Sequence, residues 1–167
     1  RVWERSQALP EADAEILLRG ELRNWIAELK SPRHPHGHRQ VFNGTEERFS
    51  FLTRSFLHAL PLDSEAEITI EIVETGFDTG DIRLIINGLD RARDAVFTEE
   101  RLLVRGLRNP RLEYYLPARR NLPGEWRDYW TERRDAPALV AIRSDSDQTR
   151  WPDLVVAIRR EGRVTMQ

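Results

Sequence analysis

The chain contains no cysteine. Disulfides, thiolate metal sites and a cysteine nucleophile are excluded together, and a reducing compartment fits that absence. Lysine is almost as scarce: Lys30 is the only one, so arginine supplies the rest of the 26 basic residues. Long apolar runs are missing as well. None approaches the roughly 20 residues needed to span a bilayer, and no signal-peptide core stands near Arg1. The expected location is cytoplasmic, with no membrane partner. A chain that starts on arginine reads as a piece of a longer polypeptide.

Catalytic signatures are also lacking. The sequence holds no G-x-x-x-x-G-K-[ST], no G-x-G-x-x-G, no G-x-S-x-G and no H-E-x-x-H. Phosphate-loop, dinucleotide, serine-hydrolase and zincin readings fail with them, and no cofactor is expected. The 28 acidic residues nearly balance the basic ones, for a net charge of −2. Acids and arginines alternate along the chain, which is the pattern of surface ion pairs and not of a nucleic-acid stripe. The arginine bias reads mainly as GC-rich coding; its functional reading is bidentate binding of carboxylate or phosphate.

What is present suffices for a core. A chain of 167 residues buries about 70% of its unfolded surface without a staple. Residues 10–30 read as a helix: Pro10 suits its first turn, and Leu18, Leu22, Trp25 and Leu29 form one stripe. A loop punctuated by Pro32, Pro35, Gly37 and Gly44 follows. Thr45 then reads as the cap of a second helix buried through Phe49, Leu52, Phe56 and Leu60. Residues 66–74 alternate as a strand, and residues 82–88 as its return partner. The loop between them is expected to be longer than the tightest hairpin types. Residues 97–107 are ambiguous between helix and strand. Leu112 to Leu116 reads as a strand, and residues 125–134 as a helix bearing Trp126 and Trp130 one turn apart. Leu139 to Ile142 and Leu154 to Ile158 read as buried central strands, with a short last strand from Arg163 to Met166. The expected class is α+β or mixed α/β, a predominantly antiparallel or mixed sheet flanked by helices. Two parts are expected to pack as one unit: a helical segment over residues 1–62 and a mixed sheet domain over residues 63–167.

Four clusters bear on chemistry. His34, His36 and His38 alternate, so an extended segment would face three imidazoles one way; the reading gives them no native metal role. Asp145, Asp147 and Asp153 lie between two apolar runs, where clustered carboxylates can hold Mg²⁺ for phosphodiester hydrolysis. The lysine that such nuclease chemistry wants beyond them is missing. Asp78 and Asp81 flank Gly80 as turn residues. Trp126, Tyr129 and Trp130 mingle with Arg127, Arg133 and Arg134, a composition typical of interface hot spots that also suits stacking on nucleic acid; the plainer alternative puts Trp126 and Trp130 in the core with the arginines outside. Tyr114 and Tyr115 point to opposite faces of a strand, which leaves Tyr115 available for contact.

Four pieces in order carry a family resemblance: the isoleucine-rich strand and its return (Ile68 to Leu89), Leu112-Glu113-Tyr114-Tyr115-Leu116-Pro117, the segment around Trp126, and Val140-Ala141-Ile142-Arg143-Ser144 with Trp151 following. Over roughly residues 67–151 the chain resembles the C-terminal domain of bacterial vWA-MoxR-associated proteins. That resemblance implies an adaptor or regulatory domain of a multi-component, defence-like (antiviral) system, with no established catalytic residues. The leading reading is a non-catalytic interaction module binding other protein subunits through Trp126, Trp130, Tyr115 and Arg127, with no nucleic-acid partner expected. The alternatives are a divalent-metal nuclease using Asp145, Asp147 and Asp153, or a sensor of a small ligand or nucleotide.

Overall fold

Alternation with a period of two organises most of this chain. The computed structural model describes residues 16, 19–24, 42–54, 65–90, 92, 94–131, 135–147 and 149–158. The histidine loop, Leu18, Trp25, Leu29, Phe56, Leu60 and the expected last strand lie outside the described residues. Among the described residues nine strands follow in order: β1 (Phe42–Gly44), β2 (Arg48–Arg54), β3 (Glu65–Gly76), β4 (Thr79–Leu89), β5 (Ala95–Arg108), β6 (Arg111–Leu116), β7 (Glu125–Arg127), β8 (Leu139–Arg143) and β9 (Leu154–Ala157). They form two antiparallel sheets, ordered β1-β2-β3-β4-β5 and β7-β6-β8-β9. With a short helix at residues 16 and 19–24, the class is α+β.

The inward rows are the ones the sequence displays. Ala66, Ile68 and Ile70 of β3 and Ile82, Leu84 and Ile86 of β4 are buried together with Leu112 and Tyr114 of β6, Val140 and Ile142 of β8, and Leu154 and Val156 of β9. The two sheets therefore share one apolar core. Across the outer face of the larger sheet, Arg83 stands opposite Glu71 and bonds it at 2.6 Å, and reaches Glu100, diagonal to it on β5, at 3.8 Å.

Several elements differ from the sequence reading. The described part of the second helix is a strand: Phe49 and Phe51, two residues apart, are both buried, and β2 pairs along its whole length with β3. Thr45 does accept hydrogen bonds from the backbone N–H groups of Glu47 and Arg48, as a cap would, but it closes the β1–β2 turn. Pairing with β3 offers both phenylalanines a buried row, and tertiary context overrides the helical spacing. This sheet runs across the expected division at residues 62/63. The β3–β4 connection is a two-residue turn, Phe77-Asp78, tighter than expected, with Asp78 held at φ 55°, a conformation that aspartate tolerates. Residues 97–107 belong to one strand of 14 residues. The tryptophan segment is not a helix, because β7 pairs with β6, setting Trp126 opposite Tyr115. Of the two apolar runs, β8 is central, but β9 lies at the edge among the described strands.

The sheet edges are closed in different ways. Gly44 and Trp130 exchange two backbone hydrogen bonds, of 2.9 and 2.8 Å, joining β1 to the chain just after β7. The helix buries Leu22, while Arg19 and Arg23 donate to the carbonyls of Asp153 and Val155 beside β9. The far end of β5 is tied to the β8–β9 connection, where Asp145 N–H donates to the Arg108 carbonyl at 2.8 Å. The rest of β5 pairs with no second strand among the described residues, though Arg150 donates to the Arg105 carbonyl and Glu21 meets Arg101, and it carries three irregularities. Extra residues at Val96, Leu103 and Arg105-Gly106 break its register with β4, and Gly106 takes φ +65°.

The tightest join is at Tyr114. Its ring meets Phe42 and Phe49 edge-on, with centroids 5.6 and 6.2 Å apart, and its hydroxyl donates to the Thr45 carbonyl at 2.7 Å. A Cβ at Gly44 would overlap that ring. Gly44→Ala is therefore expected to cost more than about 2 kcal/mol by overpacking, and Tyr114→Phe only about 1 kcal/mol for the lost hydrogen bond. Urea unfolding of both variants checks the order; a milder loss for Gly44→Ala would mean that the ring is not seated on this glycine.

Candidate functional site

Strand pairing places the aromatic and charged residues of the smaller sheet on one outward face. Glu113 and Tyr115 share that side of β6, Trp126 stands opposite Tyr115 on β7, and Arg143 belongs to the same side of β8. The Tyr115 and Trp126 rings lie 5.2 Å apart between centroids. Arg143 sits 4.8 Å over the Trp126 ring and bonds Glu113 at 2.7 Å and Asp153 at 3.2 Å. Beneath Tyr115, Gly124 leaves no room for a side chain against the hydroxyl. Trp126 is thus wedged between a tyrosine and an arginine that is itself fixed by two carboxylates, yet it remains 37% exposed. Arg127 pairs with Glu125 at 2.6 Å and lies 5.6 Å over the Tyr129 ring, and Tyr129 is 50% exposed.

Of the four expected contact residues, Tyr115 and Trp126 come together at this surface, whereas Arg127, paired opposite Tyr114, stands on the other side of β7. Trp130 is not on this surface either. It is 1% exposed, packs in the core and donates its indole N–H to the Asp135 carbonyl at 2.8 Å. The expected helix would have set the two tryptophans on one face; a strand followed by a bend sends them to opposite sides. Sequence reasoning passed over Arg143 and Glu113, whose roles depend on the register of β6 against β8.

The three aspartates of the β8–β9 connection are each occupied by protein donors. Asp145 accepts from Asn109 and Arg111, each at 3.0 Å, and these bonds hold its carboxyl below its ordinary range, the Asn109 bond most of all. Asp147 takes the Thr149 N–H and hydroxyl and is likewise lowered, chiefly by the backbone bond. Asp153 takes the Ser144 N–H and Arg143. Among the described residues no three acidic or histidine side chains are grouped to hold a metal ion. Turn closure and sheet-to-sheet linkage account for all three.

Beside the aromatic face runs a cleft of about 600 Å³, between the β1–β2 turn, the β3–β4 turn and the start of β6. Glu46, Glu47, Glu74, Asp78 and Asp128 border it over a floor that includes Ile72, Pro110 and Leu112. Glu46, from one sheet, hydrogen-bonds Asp128, beyond the end of the other, and this contact raises its carboxyl above the ordinary value, with the charge of Asp128 adding to the effect. The cleft was not legible in the sequence, since its two closest carboxylates are separated by most of the β structure.

No helix among the described residues is long and apolar enough to cross a membrane. Comparison with family models, with curated proteins and with solved structures finds no match to this chain.

Two outcomes follow. Trp130→Ala is expected to destabilise the fold by about 3–5 kcal/mol, measured by chemical unfolding; a loss under about 1 kcal/mol would place this ring outside the core. Glu46 binds its proton more tightly folded than unfolded, so its contribution to stability is present below the unfolded pKa and is lost as pH rises through the folded one. Glu46→Gln should therefore raise the melting temperature at neutral pH and leave it unchanged near pH of about 4. A melting curve insensitive to this substitution at both pH values would deny the crowding with Asp128.

Proposed function

We propose that this chain is a non-catalytic protein-interaction domain, serving as an adaptor or regulatory part of a multi-component assembly. The observation that carries the reading is the Trp126 surface. A large aromatic ring stands partly exposed but is held on both sides, by Tyr115 and by Arg143. Interface hot spots are enriched in tryptophan, tyrosine and arginine, and a side chain already ordered in the free protein loses little entropy on binding. Tyr129 and Leu122 add exposed apolar area on the same stretch of chain. The resemblance to the C-terminal domain of vWA-MoxR-associated proteins supports the same reading and suggests an intracellular bacterial setting.

The test is affinity capture from cells of the source organism with the tagged domain, compared with Trp126→Ala. The variant is expected to retain about tenfold less of the partner, with a melting temperature within about 4 °C of the parent. Equal retention by the two proteins would remove Trp126 from any contact and the reading with it.

A further inference from the structure

We infer that the cleft bordered by Glu47, Asp78 and Asp128 receives a cationic segment of the protein partner, an extended stretch presenting two or more arginine or lysine side chains. This inference rests on the reading of the chain as an interaction domain and supplies the chemistry of what is bound.

Charge is the first argument. Of the carboxylates lining this region, Glu113 is neutralised by Arg143 and Glu125 by Arg127. Glu46, Glu47, Glu74, Asp78 and Asp128 have no arginine within ion-pair distance among the described residues, although the chain is rich in arginine. Five uncompensated carboxylates around one concavity focus a negative potential there, and low-dielectric walls strengthen it. Glu46 and Asp128 are pressed together from separate parts of the fold. Like charges so placed repel each other, and a guest cation relieves that repulsion.

The second argument is the lining itself. Phe77, at the tip of the β3–β4 turn, is 95% exposed and borders the cleft. The fold makes no use of this ring. A second recess of about 420 Å³ shares Glu46, Glu47 and Asp128 with the first and adds Tyr129. A third, of about 500 Å³, continues from Asp128 and Tyr129 to Trp126. The three make one trough leading to the Trp126 face. Aromatic faces attract guanidinium and ammonium groups, and Ile72, Pro110 and Leu112 offer apolar cover for their methylene stems. Two arginines also line this course, but Arg111 is held by Asp145 and Glu113 and Arg127 by Glu125, so a nucleic acid or a phosphate ligand would meet a net excess of negative charge. A single metal ion would use only a fraction of carboxylates that are spread along a trough, whereas an extended basic segment meets them in succession.

The test uses a fluorescein-labelled peptide of about nine residues alternating arginine and alanine, in the extended-segment mode, with its glutamate–alanine counterpart as control. Fluorescence anisotropy at low salt is expected to show binding of the arginine peptide alone, weakening as salt rises. The double variant Glu47→Gln/Asp128→Asn should bind at least about tenfold more weakly. Glu100→Gln, which removes a carboxylate on β5 away from the cleft, should bind as the parent does. No binding by the parent, or equal losses in the cleft variant and in Glu100→Gln, would overturn the inference. Stabilisation by Mg²⁺ alone, abolished in the double variant and unaccompanied by peptide binding, would overturn it in favour of a metal site. Failure here is separable from failure of the wider reading: a parent that captures its partner in a Trp126-dependent way yet ignores the peptide sinks the cleft assignment only.

Discussion

The contact of Tyr114 with the β1–β2 hairpin holds the two sheets in their relation, and both candidate surfaces depend on it. The phenol projects from the smaller sheet, lies on Gly44 where any side chain would collide, and delivers its proton to the Thr45 carbonyl. Burial drives the phenol's pKa upward, so the hydroxyl stays a donor. Three phenylalanines, Phe42, Phe49 and Phe51, stack beside it. Since Gly44 also exchanges backbone bonds with Trp130, one glycine serves as the meeting point of both sheets. The next residues in the chain, Thr45 to Glu47, form the rim of the acidic cleft, while the chain leading into Trp130 carries Asp128 and Tyr129. Rim and aromatic face are fixed by the same join.

Much of the fold could be read from residues two apart. Ile68 and Ile70 against Ile82, Leu84 and Ile86 declared a hairpin, and Leu112 with Tyr114 declared β6. Where a competing period was available, the sequence misled. Phe49, Leu52 and Phe56 are spaced for a helix, and Thr45 with two glutamates after it imitates a helix start. A hydroxyl accepting from the second and third following N–H groups serves a cap and a tight turn equally well, so the local chemistry did not discriminate. Only the presence of β3 as a partner did. The same holds at Trp126 and Trp130, whose spacing of four suits one helical face but which a strand and a bend separate into surface and core.

The candidate site was legible in its composition and not in its arrangement. Aromatic and arginine residues around Trp126 announced a contact surface. Their supports, Arg143 and Glu113, became visible only once β6 lay between β7 and β8. The acidic cleft joins residues from the β1–β2 turn, the β3–β4 turn and the end of β7, and no linear pattern marks such a meeting. Asp145, Asp147 and Asp153 show the converse. They are adjacent in sequence and chemically suggestive, yet their oxygens are taken up by Asn109, Arg111, Thr149, Ser144 and Arg143.

The long margin strand has a consequence for life at high concentration. A ribbon of 14 residues with Val96, Phe97 and Leu102 showing is the kind of rim onto which other copies zip, ending in fibres or precipitate. Three interruptions bend this one away from straightness, and Glu99 and Arg101 point charge toward the side where a stacked neighbour would want grease. The strand supplies Leu103, Val104 and Leu107 to its own interior while offering strangers a crooked, salted border.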